Sequence, residues 1–89
     1  MLLKIFSVYD SKVEAYIQPF YMNSTGAAMR AFEDTVNDPE SALNKHPEDY
    51  TLFELGTFDD QTAQISLYES KKSLTTAIEC RSNKLEAVS

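Results

Sequence analysis

One cysteine, one histidine, no tryptophan and only two glycines set the first limits on this 89-residue chain. Cys80 alone can form no internal disulfide, and with His46 it is too small a set for a Cys/His zinc site, so a reducing compartment fits. Gly26 and Gly56 are too few for a glycine-rich phosphate loop, and no serine sits in a nucleophile elbow. No run of 18 apolar residues is present and no charged stretch leads into an apolar one, which predicts neither a membrane span nor a signal peptide. No cofactor and no enzymatic activity are expected. Cations are scarce as well: eight Lys and Arg stand against fourteen Asp and Glu, a net charge of −6. As a whole-molecule average that sign repels nucleic acid.

What is present suffices for one modest core, with 43% hydrophobic residues. The charge is unevenly spread. Residues 1–30 carry +1, residues 31–69 carry −9 with Lys45 as their single cation, and residues 70–89 carry +2. The acidic middle reads either as a solvated surface that keeps the protein soluble or as the side that turns DNA away while the termini supply a basic one.

Residues 2–9 have the β-branched and aromatic content of a central strand, with Leu3 and Ile5 on one face and Phe6 and Val8 on the other. A second extended segment spans residues 14–22, and Pro19, lacking a ladder donor, places it at an edge or bends it. Asn23, Ser24 and Thr25 offer helix caps ahead of residues 27–36, where Ala28, Phe32 and Val36 repeat at helical spacing. Asn37, Asp38 and Pro39 stop that helix, and a short helical turn over 39–44 is predicted behind them. A hairpin follows, with Tyr50, Leu52 and Phe58 on one face, Phe53 and Leu55 on the other, and its partner strand over 64–69. Its turn lacks glycine, which predicts a longer loop around an Asp-anchored type I turn. Residues 70–89 carry only a weak helical stripe of Leu74, Ala77, Ile78 and Leu85 and read as a short helix or a mobile tail.

The fold class is therefore α+β, a small single domain over residues 1–69 with a mainly antiparallel four-stranded sheet in the order β-β-α-β-β and one main helix on one face. One helix covers one face of such a sheet. The other, lined by residues such as Phe6, Tyr9, Phe53 or Tyr50, is expected to be an interaction surface, and a homo-oligomer, most simply a twofold dimer, is the expected result. Folding of the tail over that face is the competing arrangement.

His46, Glu48 and Asp49 are the one combination with metal or acid–base character, but adjacent loop carboxylates beside a single histidine are read here as a capped loop, with no metal assigned. Nucleic-acid binding needs rings for bases and cations for phosphates. Lys4, Tyr9, Lys12, Tyr16, Tyr21 and Arg30, with Lys71 and Lys72 near the tail, supply that mixture; the competing reading makes most of those rings core residues.

Residues 5–16, then Pro19-Phe20, then 28–32, then Val36 with Asn37-Asp38-Pro39, and then Lys45 leading into His46-Pro47-Glu48-Asp49-Tyr50, with Phe53 and Gly56-Thr57-Phe58-Asp59-Asp60, together resemble the small nonstructural protein of gokushoviruses, single-stranded DNA phages of the Microviridae. The resemblance covers roughly residues 5–65. It implies a protein made in the host bacterial cytoplasm and absent from the mature capsid. It also implies DNA binding and a role like that of the microvirus C protein, which is associated with the switch to single-stranded synthesis coupled to packaging. The implied partners are single-stranded DNA and viral replication or procapsid proteins. An adaptor that touches only protein partners through the acidic loop and hairpin is the alternative.

Overall fold

The structure, a computed structural model, describes residues 1–81. It is an α+β domain in the order β1 (Leu2–Asp10), β2 (Ala15–Tyr16), β3 (Phe20–Met22), α1 (Thr25–Val36), α2 (Ala42–Lys45), a 3-10 turn (Pro47–Asp49), β4 (Tyr50–Asp59) and β5 (Gln64–Thr76). All strand pairings are antiparallel. The sheet runs β2-β1-β4-β5, with β3 also paired to β1. Among the described residues the sheet thus has five strands where four were expected, because the 14–22 segment breaks around Pro19 and its two halves pair with opposite ends of β1.

Helix α1 forms as its sequence dictates. Ser24 caps it, its hydroxyl accepting from the Ala27 N–H at 3.1 Å, and Ala28, Phe32 and Val36 are its buried stripe. That stripe packs on Phe6 and Val8 of β1 and Leu52 of β4 to form the core. Asn37 ends the helix by bonding Glu33 O through both its backbone and its side chain. The next helical turn starts later than residue 39. Asp38 accepts from Glu40 N–H in a local turn, and Ser41 instead caps α2 through Asn44 N–H.

Strand β5 overturns the expected boundary at residue 69. It runs to Thr76, residues 77–81 are helical, and Ala77 and Cys80 enter the core. The sequence signal fades at 70 because an edge strand needs few apolar residues, so Lys71 and Lys72 read as tail. Thr76 and Glu79 make a reciprocal capping box at the strand-to-helix junction, Glu79 N–H donating to Thr76 Oγ1 at 3.3 Å and Thr76 N–H to Glu79 Oε1 at 3.1 Å. Leu85 of the expected stripe lies outside the described residues.

Strand β4 is kinked. Its pairing with β1 skips Leu55, between Glu54 and Gly56, and opposite the same point its pairing with β5 jumps from Leu67 to Lys72, leaving residues 68–71 of β5 as a bulge of their own. The skip at Leu55 reverses the phase of the side chains beyond it. Before it, Leu52 and Glu54 face α1; after it, Phe58 faces away from α1, beside Leu3. Strict alternation put Phe58 with Leu52; the bulge moves it to the side of Phe53.

Candidate nucleic-acid interface

The face of the sheet turned away from α1 is built by odd positions of β1, which alternate with the core residues Phe6 and Val8. Ile5 and Ser7 on this face are 3% and 1% exposed although, among the described residues, no helix covers them. Their cross-strand neighbours are rings, Tyr21 opposite Ile5 and Phe53 opposite Ser7. Tyr9 pairs with Tyr16 across β1 and β2, their centroids 4.7 Å apart, and Tyr16 meets Phe53 edge-on at 5.7 Å. Farther along, Tyr21 and Phe58 meet edge-on at 5.6 Å. Two ring clusters therefore roof the face, yet Tyr16 and Tyr21 keep 43% and 46% of their surface in solvent. Lys71 reaches over from β5 with its Nζ 5.7 Å from the Tyr16 centroid, a cation held over a π face.

The expected nucleic-acid residues divide accordingly. Tyr9, Tyr16, Tyr21 and Lys71 come together on this face. Lys12 is exposed in the turn between β1 and β2, where its N–H is held by Asp10 Oδ1. Arg30 is on α1, across the sheet. Lys4 and Lys72 also point to the helix side, to a buried carboxylate. Of the residues expected to line the uncovered face, Phe6 is wholly buried in the core and Tyr50 packs against that core, so only Tyr9 and Phe53 remain there. Phe53 and Phe58 are the ring residues missing from the expected site. Alternation with Tyr9 points to Phe53; only the bulge reveals Phe58.

The carboxylate is Glu54, 2% exposed. Thr25 Oγ1 donates to its Oε1 at 2.8 Å, Tyr68 Oη donates to its Oε2 at 2.5 Å, and Lys4 Nζ lies 3.7 Å from Oε2 while donating to Thr25 Oγ1 at 3.2 Å. Lys72 completes the group with its Nζ 4.6 Å from the Tyr68 centroid. Burial opposes ionisation, but the bonds from Tyr68 and Thr25 and the charges of Lys4 and Lys72 outweigh it, holding the Glu54 carboxyl below its ordinary value. The bond to Glu54, aided by burial and the carboxylate charge, pushes the Tyr68 phenol up to about 12. Four elements meet on this group, which makes it a structural anchor.

His46, Glu48 and Asp49 bring ligand atoms within 4.8 Å of one another. The 3-10 turn accounts for that, since Asp49 N–H bonds back to His46 O at 3.1 Å. Asp49 O in turn accepts from Ser11 N–H at 2.9 Å, so the His46-Pro47-Glu48-Asp49-Tyr50 run ties the β1–β2 turn to the start of β4. Burial, then the charges of Asp10 and Asp49, push the Tyr50 phenol up. An apolar cavity of about 370 Å³ opens on the helix side between Val8, Phe20, Met22 and α1, with Thr35 as its one polar lining residue.

The family model of the phage ORF5 protein matches residues 3–80. The chain belongs to this family. It is thus a phage protein, and the ORF5 match runs from β1 through Cys80, taking in both ring clusters, the Glu54 group and all of β5. No curated protein and no solved structure matches the chain. Among the described residues of this ORF5-family chain, no helix is long and apolar enough to cross a membrane.

Proposed function

We propose that this phage protein is a non-enzymatic nonstructural factor that binds single-stranded DNA across the face of its sheet turned away from α1. It acts in viral genome replication and packaging in the host bacterial cytoplasm, as the resemblance to the gokushovirus DNA-binding protein and to the role of the microvirus C protein implies. One observation carries the reading: half-exposed Tyr16 and Tyr21, backed by Tyr9, Phe53 and Phe58, share a face with Lys71. Bases stack on such rings whatever their sequence, at about 1–3 kcal/mol per base. The acids crowd elsewhere. Exposed Asp34, Asp38, Glu40 and Glu48 lie on α1 and the segment after it, whereas Lys71 stands over the ring face. The acidic side is left for basic surfaces of viral replication or procapsid proteins.

Fluorescence anisotropy of labelled oligothymidylate across a salt series tests this. With Lys71 and Lys12 as the cations near the rings, the slope of log K against log salt is expected to be shallow, about −1.4 for two neutralised phosphates. Absence of binding at low salt would overturn the reading and leave the adaptor role, in which only proteins are bound.

A further inference from the structure

The apolar cavity of about 370 Å³ beside α1 leaves its walls short of neighbours. Val8, Ile17, Phe20, Phe32 and Leu43 are among its lining residues, and Ile17 keeps 48% of its surface in solvent. An apolar wall facing water costs free energy in proportion to its area, and one facing empty space forfeits its dispersion contacts. The space is ample for an aliphatic side chain, since a cavity of about 150 Å³ already takes up benzene or xenon.

The described part of the chain ends beside this cavity. Ala77 and Cys80 join the core that contains Val8 and Phe32, with Leu43 packed against it. Arg81 then donates from Nη1 to Asn44 O at 2.9 Å. Asn44 follows the lining residue Leu43, and its own side chain is fixed on Val36 O at 2.9 Å, so Arg81 is tied to the element that walls the cavity. Ser82-Asn83-Lys84-Leu85-Glu86-Ala87-Val88-Ser89 comes next, and Leu85 is its first large apolar residue. At about 3.3–3.6 Å per extended residue, the stretch from Arg81 to Leu85 spans up to about 13 Å. That exceeds the width of a helix with its side chains, about 10–12 Å. Charge agrees with this path. Lys84 precedes Leu85, and exposed Asp34, Asp38 and Glu40 each stand three residues from a lining residue, Ala31, Thr35 and Leu43 in turn. We propose that the C-terminal segment seats Leu85 in this cavity, guided by Arg81 on Asn44 O and by Lys84 among those carboxylates. The seat is on the α1 side of the sheet and does not rest on the DNA reading of the opposite face.

The Leu85 methyl groups of the full chain, without DNA, test this directly. Nuclear Overhauser contacts from them to the rings of Phe20 and Phe32 are expected, with the upfield shifts that ring currents impose. Leu85→Ala unplugs the cavity without touching the core of the described domain, and an unchanged far-ultraviolet circular dichroism spectrum checks that the fold is kept. Dissolved xenon is then expected to shift the methyl resonances of Val8 and Ile17 in Leu85→Ala and to leave them in place in the parent. Leu85 methyls without contact to either ring would overturn the proposal. So would xenon entering the parent as readily as Leu85→Ala, which leaves the cavity to a free apolar ligand. Ring contacts found only between copies, in a mixture of labelled and unlabelled chains, would overturn it as well and assign the seat to the segment of a second copy.

Discussion

Tyr68 donates its phenolic hydrogen to Glu54 across 2.5 Å, and this bond spans β4 and β5 at the point where the two strands lose register. A ladder interrupted there has no backbone bonds to spare, so the side chains hold it. Removing the hydroxyl leaves one oxygen of a buried carboxylate short of a donor. Tyr68→Phe is therefore expected to lower stability by about 1.5–3 kcal/mol, the range for hydrogen bonds to charged groups. Glu54→Ala, which leaves the Thr25 and Tyr68 hydroxyls without their acceptor while the Lys4 side chain, 38% exposed, keeps its solvent, is expected to cost about 1–3 kcal/mol. Urea midpoints of the two variants check both values.

The same group sets a pH dependence with a definite sign. The folded value of Glu54 is depressed below 4.5, so its contribution is fully present above that unfolded value and is lost as pH falls through the lower folded value. Tyr68 works in the opposite direction: raised from 10.0 to about 12, it contributes fully below pH 10 and loses that contribution as pH rises toward 12. Urea midpoints followed from neutrality into acid are expected to fall less steeply in Glu54→Gln than in the parent. An acid limb identical in both would contradict the assignment.

Gly56 sits within β4, directly opposite Leu67 of β5. A Cβ there would lie 2.2 Å from Ser66 O and 2.8 Å from Leu67 Cα, both backbone atoms that cannot rotate away. Gly56→Ala is expected to destabilise by about 3 kcal/mol, the upper end of overpacking costs. Thermal unfolding followed by circular dichroism reads it directly.

Ala63 closes the β4–β5 turn with φ at +65°, donating its N–H to Asp59 O at 2.7 Å. That region is costly for a residue with a Cβ and free for glycine. Ala63→Gly is expected to raise stability by about 0.5 kcal/mol after the unfolded chain's extra entropy is subtracted, a gain visible as a higher urea midpoint with an unchanged slope.

Local chemistry was legible wherever one segment decides its own structure. Ser24, the Ala28, Phe32 and Val36 stripe, and Asn37 each act within a few residues, and they produce α1 where its pattern lies. The Asp59-anchored turn is of the same kind, with Asp59 Oδ1 accepting from Gln61 N–H at 2.9 Å. Glu54 was illegible because its burial is tolerable only through Thr25, Tyr68 and Lys4, from three other elements. Lys4 was assigned to the nucleic-acid surface for the same reason: nothing near it in sequence shows the carboxylate it serves. Phe58 was placed on the wrong face because a bulge at Leu55 arises from pairing with two neighbours and leaves no mark on the hydrophobic pattern. The Thr76–Glu79 capping box, by contrast, was written in the sequence and marks the true end of β5.

The proposed placement of single-stranded DNA on the ring face is tested by amide and aromatic-ring resonances recorded during titration with a short oligothymidylate. The largest shifts are expected on Tyr9, Tyr16, Tyr21, Phe53, Phe58 and Lys71, with α1 and α2 unmoved. Shifts concentrated on the helix side, or none at concentrations where the protein is folded, would contradict it.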